Sequence, residues 1–353
     1  MTIILLILVL AILVLSHEFG HFIVAKLSGI KVEEFGLGLP PRIFGRKIGD
    51  TIYSINWIPF GGFVRIFGES ETPTDGEGKE FNDNSDNKEA FVNKPKLIQA
   101  GVIVAGIIFN LLLAFVLIWT GLQAGLPVAV EDFGANNSQV TNHQVIITGI
   151  KSSSPAEIAN VPEGAYIKNF KTPEELIAYV ESHKREEIKL ETDKGDFRLT
   201  PNPILGIEMS QVGEAHLSVM SAIPAAFRVT THLTKETIVG LANFVGSIFA
   251  GKGFLAGVVG PVGIAEIVRD ASNQGFASLL FIMAILSISL AVINLAPFPA
   301  LDGGRLLFVI IEAIKGSPIR KSLANTVNLV GFSLLIALMV FVTYHDIIKL
   351  IRN

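Results

Sequence analysis

The chain has 353 residues, of which 50% are hydrophobic and only 17% are charged, and its formal net charge is -4. Because about a quarter of the residues of an ordinary soluble protein are charged, this composition favours a polytopic membrane protein. The absence of cysteine excludes disulfides, thiolate metal sites and a catalytic thiol, and no basic patch of the kind that binds nucleic acid is present.

The first apolar segment predicts a membrane-spanning helix over residues 3–27, long enough to cross a hydrocarbon core of about 30 Å. A secretory signal peptide is the alternative, but it requires a basic amino-terminal region, and no basic residue precedes Lys26. Three ionisable residues, His17, Glu18 and His21, lie inside this apolar helix. Because an ionisable side chain at membrane depth costs about 2.5 kcal/mol or more, these residues indicate a functional site.

The pattern His-Glu-x-x-His at residues 17–21 is typical of a zinc site on a helix. His17 and His21 are four residues apart, so both imidazoles face the same way, one turn apart, and Glu18 beside them is the candidate general base. The alternative is that these polar groups only hydrogen-bond neighbouring helices. A catalytic zinc site needs a third protein ligand, which must come from elsewhere in the chain.

Two elements are predicted between the first and second apolar helices. Residues 51–69 alternate apolar and polar side chains around Gly61-Gly62, which predicts a β-hairpin. Residues 69–90 are acidic and nearly free of large apolar side chains, which predicts a mobile surface loop.

The second spanning helix is predicted over residues 97–122. Gly101, Ala105 and Gly106 form a small-residue face for close packing against another helix. Asn110 is a polar residue in the same apolar helix. It is predicted either to hydrogen-bond a neighbouring helix or to contact the functional site.

Residues 123–207 predict a small soluble α+β domain inserted between membrane segments, with β-like runs at 145–150, 188–192 and 197–200 and a helix at 173–183. After this domain, residues 222–250 show the three- and four-residue spacing of an amphipathic helix, which we expect along the membrane interface. Residues 257–268 are apolar but broken by glycine and proline, which is typical of a re-entrant segment buried in protein.

Residues 276–297 and 327–348 predict the third and fourth spanning helices. Asp302 follows the third in the sequence Asn-Leu-Ala-Pro-Phe-Pro-Ala-Leu-Asp-Gly-Gly. The two prolines break the helix and the two glycines free the backbone, so this segment can bring a carboxylate into the membrane core. We predict Asp302 as the third metal ligand; a helix-ending aspartate at the membrane surface is the alternative.

Basic residues near the ends of the spanning helices predict the orientation of the chain. They are Lys26, Lys31, Lys94, Lys96, Arg305, Lys315, Arg320 and Lys321. Because cytoplasmic loops carry an excess of Lys and Arg, we expect their side of the membrane to be cytoplasmic. The amino terminus and residues 123–275 are then extracytoplasmic.

The motif at residues 17–21, the sequence around Asp302 and the inserted soluble domain together resemble the site-2 protease family of intramembrane zinc metalloproteases. The resemblance covers nearly the whole chain and is closest to the bacterial RseP-like branch, which has four spans and one PDZ domain. It implies that His17, His21 and Asp302 bind Zn²⁺ and that Glu18 is catalytic. Residues 147–170 resemble the core of a PDZ domain.

The resemblance also implies where substrate binds. Residues 51–68 are similar to the membrane-associated β-element of the family, whose edge strand holds an unwound substrate, so Gly61, Gly62 and Phe63 are candidate substrate contacts. Asn294 corresponds to the asparagine of a family motif and is predicted to hydrogen-bond the substrate backbone or the developing oxyanion. Asn110 is predicted to contact the same site.

The predicted fold is a polytopic α-helical membrane protein of about four spanning helices, with a membrane-associated β-hairpin or sheet and an inserted α+β, PDZ-like domain. Residues 1–122 contain two spans, the catalytic motif, the cytoplasmic-side β-element and the mobile loop, and residues 123–207 form the extracytoplasmic PDZ-like domain. Residues 208–275 contain the interfacial helix and the re-entrant-like segment, and residues 276–353 contain the last two spans and the third ligand.

The predicted function is zinc-dependent hydrolysis of peptide bonds within or near the transmembrane segments of single-span proteins, in regulated intramembrane proteolysis. Substrates implied by the resemblance are anti-sigma factors after a first cut and remnant signal peptides. The expected location is the bacterial inner membrane, with the active site toward the cytoplasmic side. The alternatives are a non-catalytic zinc transporter, although the internal repeats usual in transporters are not seen, and a PDZ scaffold.

Overall fold

The computed structural model describes residues 2–69, 87–130, 140–202, 204–250 and 259–352 of the chain. The chain divides into two compact units, each assembled from separate parts of the sequence. The first comprises Met1–Leu117, Thr230–Gly275 and Ile282–Asn353, and the second comprises Ile118–Val229 and Phe276–Phe281.

The described residues contain both helices and strands, numbered here separately in chain order. The helices are α1 (Thr2–Leu27), α2 (Lys96–Ala124), α3 (Pro155–Ile158), α4 (Pro173–Ser182), α5 (Val219–Phe249), α6 (Pro261–Gln274), α7 (Phe276–Leu295), α8 (Asp302–Lys315) and α9 (Lys321–Arg352). The strands are β1 (Val32–Ile48), β2 (Thr51–Ile66), β3 (Leu126–Ala129), β4 (Val140–Ile150), β5 (Tyr166–Ile167), β6 (Ile188–Thr192), β7 (Gly195–Leu199) and β8 (Ile207–Ala215).

The four predicted spanning helices are confirmed as helices long and apolar enough to cross a membrane. These stretches are Thr2–Leu27, Lys96–Ala124, Phe276–Leu295 and Ser322–Ile348. The segment between the last two spans, which contains Arg305 and Lys315, is mostly the helix α8. Its apolar residues recur at helical spacing, which explains why it is ordered as a helix.

The β-element of the first unit is present, but its predicted turn at Gly61-Gly62 is wrong. The chain turns instead at Gly49-Asp50, between β1 and β2. Residues 51–56 and 62–66 of β2 are separated by residues 34–37 of β1, so that Phe35, for example, has partners in both parts of β2. Alternation along a sequence predicts strands, but it does not determine which strands become neighbours.

The second unit has an α+β fold built on a six-stranded sheet with the strand order β3-β8-β4-β5-β6-β7. Its core includes Val145, Ile147, Leu176 and Leu190, which are 0% or 1% exposed. These residues come from alternate positions of β4 and β6 and from one face of α4, as strand and helix periodicity require. The sheet continues past residue 207, because β8 pairs with β4. Assignment of this unit to the PDZ class stays a prediction.

The two short helices of the second unit begin with the same local signal, a hydroxyl residue followed by proline. Ser154 precedes α3, and its hydroxyl accepts a hydrogen bond from the Glu157 N–H at 3.3 Å. Thr172 precedes α4 in the same way and accepts from the Glu175 N–H at 3.2 Å. Such caps satisfy amide groups that have no partner within the helix, so the sequence itself determines where these helices start.

Parts of three predictions lie outside the described residues: residues 70–86 of the surface loop, residues 131–139 and 203 of the inserted domain, and residues 257 and 258 of the re-entrant segment. The rest of that segment belongs largely to α6. The amino terminus of α6 contacts α9, because the Gly263 N–H donates to the Asp346 carboxylate at 3.0 Å. The predicted amphipathic helix is α5, and its position along the membrane interface stays a prediction.

Candidate active site

Helix α1 carries the two predicted histidine ligands on a buried face. His17 and His21 are only 7% and 6% exposed, and their rings meet edge to face with centroids 4.7 Å apart. The four-residue spacing produces this arrangement, because residues i and i+4 of a helix lie one above the other. Glu18, which follows His17, is half-buried.

Two glycines allow α1 and α2 to approach closely beside these histidines. A Cβ added to Gly20 would lie 2.5 Å from the carbonyl oxygen of Ala105. A Cβ added to Gly106 would overlap Nε2 of His21 and lie 2.8 Å from Cε1 of His17. Gly101, which was predicted to share this small-residue face, would meet nothing within 4 Å. Close packing of α2 at the site therefore depends on Gly106 and not on Gly101.

A tight turn between α7 and α8 brings the third predicted ligand to the histidines. A Cβ on Gly303 would overlap the carbonyls of Leu295 and Ala296, so only glycine fits this turn. Asp302 is 8% exposed. Its Oδ2 lies 2.9 Å from Nε2 of His17 and 3.2 Å from Nε2 of His21.

Each histidine has a second partner on the ring nitrogen that faces away from Asp302. The Nδ1–H of His21 donates to the Val102 carbonyl at 2.8 Å, which leaves Nε2 with its lone pair. Nδ1 of His17 lies 3.3 Å from Nδ2 of Asn110, which is 0% exposed. Oδ1 of Asn110 has no hydrogen-bond partner among the described residues. A half-turn of the amide lets Oδ1 accept from His17 Nδ1–H, so both histidines then present Nε2.

The donor set fits a zinc ion. In these tautomers, the two Nε2 atoms and Oδ2 of Asp302 carry lone pairs and no proton. The two Nε2 atoms lie 3.2 Å apart, and Oδ2 lies 2.9 Å from one and 3.2 Å from the other. Lone pairs this close repel one another. A cation between the three atoms removes their repulsion. Tetrahedral zinc with bonds near 2.0–2.1 Å separates its ligands by about 3.3 Å, close to these distances. Within the described residues, this is the one group of three or more His, Asp or Glu side chains with metal-site geometry.

Strand β2 borders Glu18 and contains the predicted substrate contacts. The backbone of Val64 lies next to the Glu18 carboxylate, and a Cβ added to Gly62 would lie 3.7 Å from Cγ of Glu18. Gly61 has a φ of 85°, in the left-handed region, and Phe63 is half-buried. Residues 62–65 pair with β1, and Gly62 among them lies beside α1.

Asn294 lies near the carboxyl end of α7 and is half-buried. None of the hydrogen bonds of the described residues involves its side chain. The two predicted asparagines thus differ. Asn110 is fully buried and contacts His17, while Asn294 is half-buried and its side-chain amide makes no hydrogen bond among the described residues.

Arg305 and Glu69 are functional candidates that sequence reasoning missed. Nη1 of Arg305 lies 3.7 Å from Oδ1 of Asp302, and its Nη2 forms an ion pair with Oε1 of Glu69. The three-residue spacing of Asp302 and Arg305 on α8 was a usable signal, because such residues are neighbours on a helix surface. Nothing in the sequence indicated Glu69 as the partner.

Comparison with known proteins assigns the chain to a family. The model of Peptidase family M50 matches residues 5–338. A protein of Clostridium perfringens (strain 13 / Type A) whose name describes a zinc metalloprotease is 35% identical over 350 residues, which are 95% of each chain. The zinc metalloprotease RasP of Shouchella clausii (strain KSM-K16) is 29% identical over 97% of each chain. The regulator of sigma-W protease RasP of Bacillus subtilis (strain 168) is 26% identical over 99% of each chain.

The matches span the whole architecture, from the histidine motif of α1 to the last predicted membrane helix. They favour a protease over the transporter and scaffold alternatives, since the named relatives are zinc metalloproteases. The chain belongs to peptidase family M50, the site-2 proteases, and is a zinc-dependent intramembrane metalloprotease of that type.

Proposed function

We propose that this protease cleaves single-span membrane proteins within or near their transmembrane segments. The observation that carries the proposal is the convergence of Asp302 on His17 and His21. These two histidines and Glu18 lie inside a helix able to span a membrane. Water and ionisable groups are costly in lipid, so an enclosed polar cluster at this depth serves hydrolysis of a bond that lies in the membrane.

We propose that His17, His21 and Asp302 hold the metal and that Glu18 is the general base. Zinc, when bound there, supplies a Lewis acid that polarises the scissile carbonyl and lowers the pKa of water. Glu18 takes a proton from the attacking water and passes it to the leaving amide nitrogen as the C–N bond breaks. The backbone of Val64 lies next to this carboxylate, so β2 borders Glu18.

The segment Gly61 to Phe63 is proposed to hold the substrate in an extended form. A substrate helix protects its peptide bonds with its own hydrogen bonds, so it must unwind locally before it can be cut. An extended substrate can pair its backbone with an open strand edge. The position of Gly62 beside Glu18 supports this role, because a substrate paired there lies next to the base. Asn294, whose amide is free, is proposed to hydrogen-bond the substrate backbone or the developing oxyanion.

The substrate class is proposed to be anti-sigma factors already trimmed by a first protease, together with remnant signal peptides. The Bacillus subtilis relative is named as a regulator of sigma-W, which supports a role in sigma-factor control. The α+β unit is proposed to be a PDZ-like extracytoplasmic filter that excludes untrimmed proteins by size.

The protein is proposed to lie in the bacterial inner membrane with its amino terminus outside. Its basic residues near the span ends support this orientation. His17 then lies about 15 residues from the start of α1, or about 22 Å at 1.5 Å per residue. This depth corresponds to the cytoplasmic half of the membrane.

The proposal is tested by cleavage of a tagged single-span substrate in membranes, with zinc quantified in the same preparations. Glu18→Gln keeps the size of the side chain but removes the base, so we expect cleavage to fall by at least about a hundredfold while about one zinc per chain remains. The matched control is Glu181→Gln, an exposed position on α4, which should cleave like the wild type.

Two other results would reject the proposal. Equal cleavage by the wild type and Glu18→Gln would show that Glu18 is not the base. Failure of both the wild type and Glu181→Gln to cleave any single-span substrate, with zinc bound, would favour a non-catalytic zinc-binding role.

A further inference from the structure

The two oxygens of Asp302 have different partners. Oδ2 faces the histidine pair, at 2.9 Å from Nε2 of His17 and 3.2 Å from Nε2 of His21. Oδ1 faces the guanidinium of Arg305, with Nη1 at 3.7 Å. The side chain of Asp302 is only 11% exposed, so solvent competes weakly for either oxygen. The carboxylate is therefore held between a metal-ligand side and a cationic side.

Arg305 also pairs with a second carboxylate. Its second terminal nitrogen, Nη2, pairs with Oε1 of Glu69, whose side chain is 13% exposed. Glu69 follows the end of β2 by three residues, so this ion pair connects the β-element to α8. The side chain of Arg305 is 36% exposed, but each of its two terminal nitrogens faces a carboxylate. Two partners restrict the direction of a planar guanidinium more than one partner does.

The number of oxygens that Asp302 offers matters for a catalytic zinc site. Such a site takes three protein ligands and leaves a fourth position for water or substrate. A carboxylate that is free to rotate can present both oxygens to the metal and occupy that position. An ion pair between Oδ1 and another cation opposes this rotation.

We propose that Arg305 is a positioning residue that engages Oδ1 of Asp302, so that this carboxylate offers the metal only Oδ2 and a coordination position stays open. Glu69 holds Arg305 in the required direction. The inference rests on the proposed ligand role of Asp302. It goes beyond that role because Arg305, which does not itself bind the metal, would determine how many oxygens Asp302 offers.

The test uses the full-length protein loaded with Co²⁺, whose visible d–d absorption distinguishes four-coordinate from five-coordinate sites. The variants are Arg305→Gln, Arg305→Lys, Glu69→Gln and the exchanged pair Glu69→Arg with Arg305→Glu. Arg320→Gln, an exposed arginine after α8, is the matched control. Spectra are recorded with and without Glu18→Gln, and kcat and KM are measured in the background that retains Glu18.

We expect Arg305→Gln to weaken the Co²⁺ absorption, as for a fifth ligand, and to lower kcat on the order of tenfold or more with little change in KM. Glu69→Gln should lower the Co²⁺ absorption and kcat in the same direction but by less. Arg305→Lys should keep part of the wild-type spectrum. The exchanged pair restores an ion pair between residues 69 and 305 but places a carboxylate beside Asp302. It should therefore keep the altered spectrum.

The inference is overturned if Arg305→Gln has the spectrum of the wild type. It is also overturned if the exchanged pair restores that spectrum, since Arg305 would then only attach the β-element to α8. If Arg305→Gln does not fold, Arg305→Lys and Glu69→Gln decide by the same criteria. The spectra need no cleavage, so they can fail or succeed independently of the proposed proteolysis.

Discussion

Each histidine of the cluster has one hydrogen-bond partner on the ring nitrogen that faces away from Asp302. His21 uses a backbone carbonyl, that of Val102, which no side-chain substitution removes. His17 uses the side chain of Asn110, whose own backbone carbonyl accepts a hydrogen bond from Ser287 at 2.8 Å. Because Asn110 and Ser287 are both 0% exposed, this polar contact is shielded from water. The tautomer of His17 therefore rests on a single replaceable amide.

Asn110→Leu keeps a similar volume but removes the acceptor for His17 Nδ1–H. We expect the zinc affinity to fall about 10- to 100-fold, because the ring loses both its tautomer and its orientation. Asn110→Asp keeps an acceptor oxygen and should retain most of the affinity. The measurement is competition with a chelator of known affinity, and the control is Asn325→Leu, at an exposed position of α9. Wild-type affinity in Asn110→Leu would mean that His17 is held by other contacts.

The close approach of α1 and α2 determines the site at the scale of secondary-structure elements. Small residues on facing helices allow backbone contact, which is the usual basis of helix packing in lipid. Here the contact has a further consequence, because Gly106 leaves room for both imidazoles. The β-element adds the second wall through Val64 and Gly62, next to Glu18.

Gly106→Ala should displace the histidines from Asp302, because its methyl group would overlap the ring of His21. We expect zinc affinity to fall on the order of tenfold or more, with loss of cleavage. Gly101→Ala is the matched control on the same helix, since its methyl group meets nothing within 4 Å. A Gly to Ala change in a helix gains up to about 1 kcal/mol of helix propensity, so the control should be as stable as the wild type or more so. Full zinc occupancy and cleavage in Gly106→Ala would contradict this account of the packing.

The three proposed ligands belong to one of the two compact units at the scale of the whole molecule. His17 and His21 come from the first helix and Asp302 from residues near the carboxyl terminus, and all three lie in the first unit. Zinc binding at the proposed site would therefore join distant parts of the sequence within that unit. The second unit has its own apolar core, formed by its sheet and its two short helices.

Removal of zinc should weaken the first unit selectively. We expect a strong chelator to speed hydrogen–deuterium exchange of amides in α1, α2 and α8, because three lone-pair groups lose the cation between them. At free zinc about a thousandfold above Kd, bound metal contributes about 4 kcal/mol to stability. Amides of β4 and β6 in the second unit should exchange as before. The same measurement on Gly106→Ala, which should already bind zinc weakly, should show little further change on chelation. Equal acceleration in both units would contradict the selective effect.

Several features could be predicted from local patterns alone. The apolar lengths predicted the four spanning helices, and the hydroxyl–proline signals are enough to start α3 and α4. The ionisable pattern at residues 17–21 and the proline- and glycine-rich segment before α8 indicated the candidate ligands. The position of the turn in the β-element was wrong, because residues 34–37 of β1 separate the two parts of β2 and nothing in the alternation of residues 51–69 indicates this insertion.

The sequence by itself determined that the chain enters a membrane and that His17, Glu18 and His21 share one helical segment, because helix period and apolar length are local properties. Only the tertiary structure decided that Asp302, 285 residues from His17, reaches Nε2 of His17 at 2.9 Å. Only the tertiary structure likewise brings Asn110 to His17 and Glu69 to Arg305. Such pairs depend on how helices and strands pack, and packing is a property of surfaces brought together from distant parts of the chain.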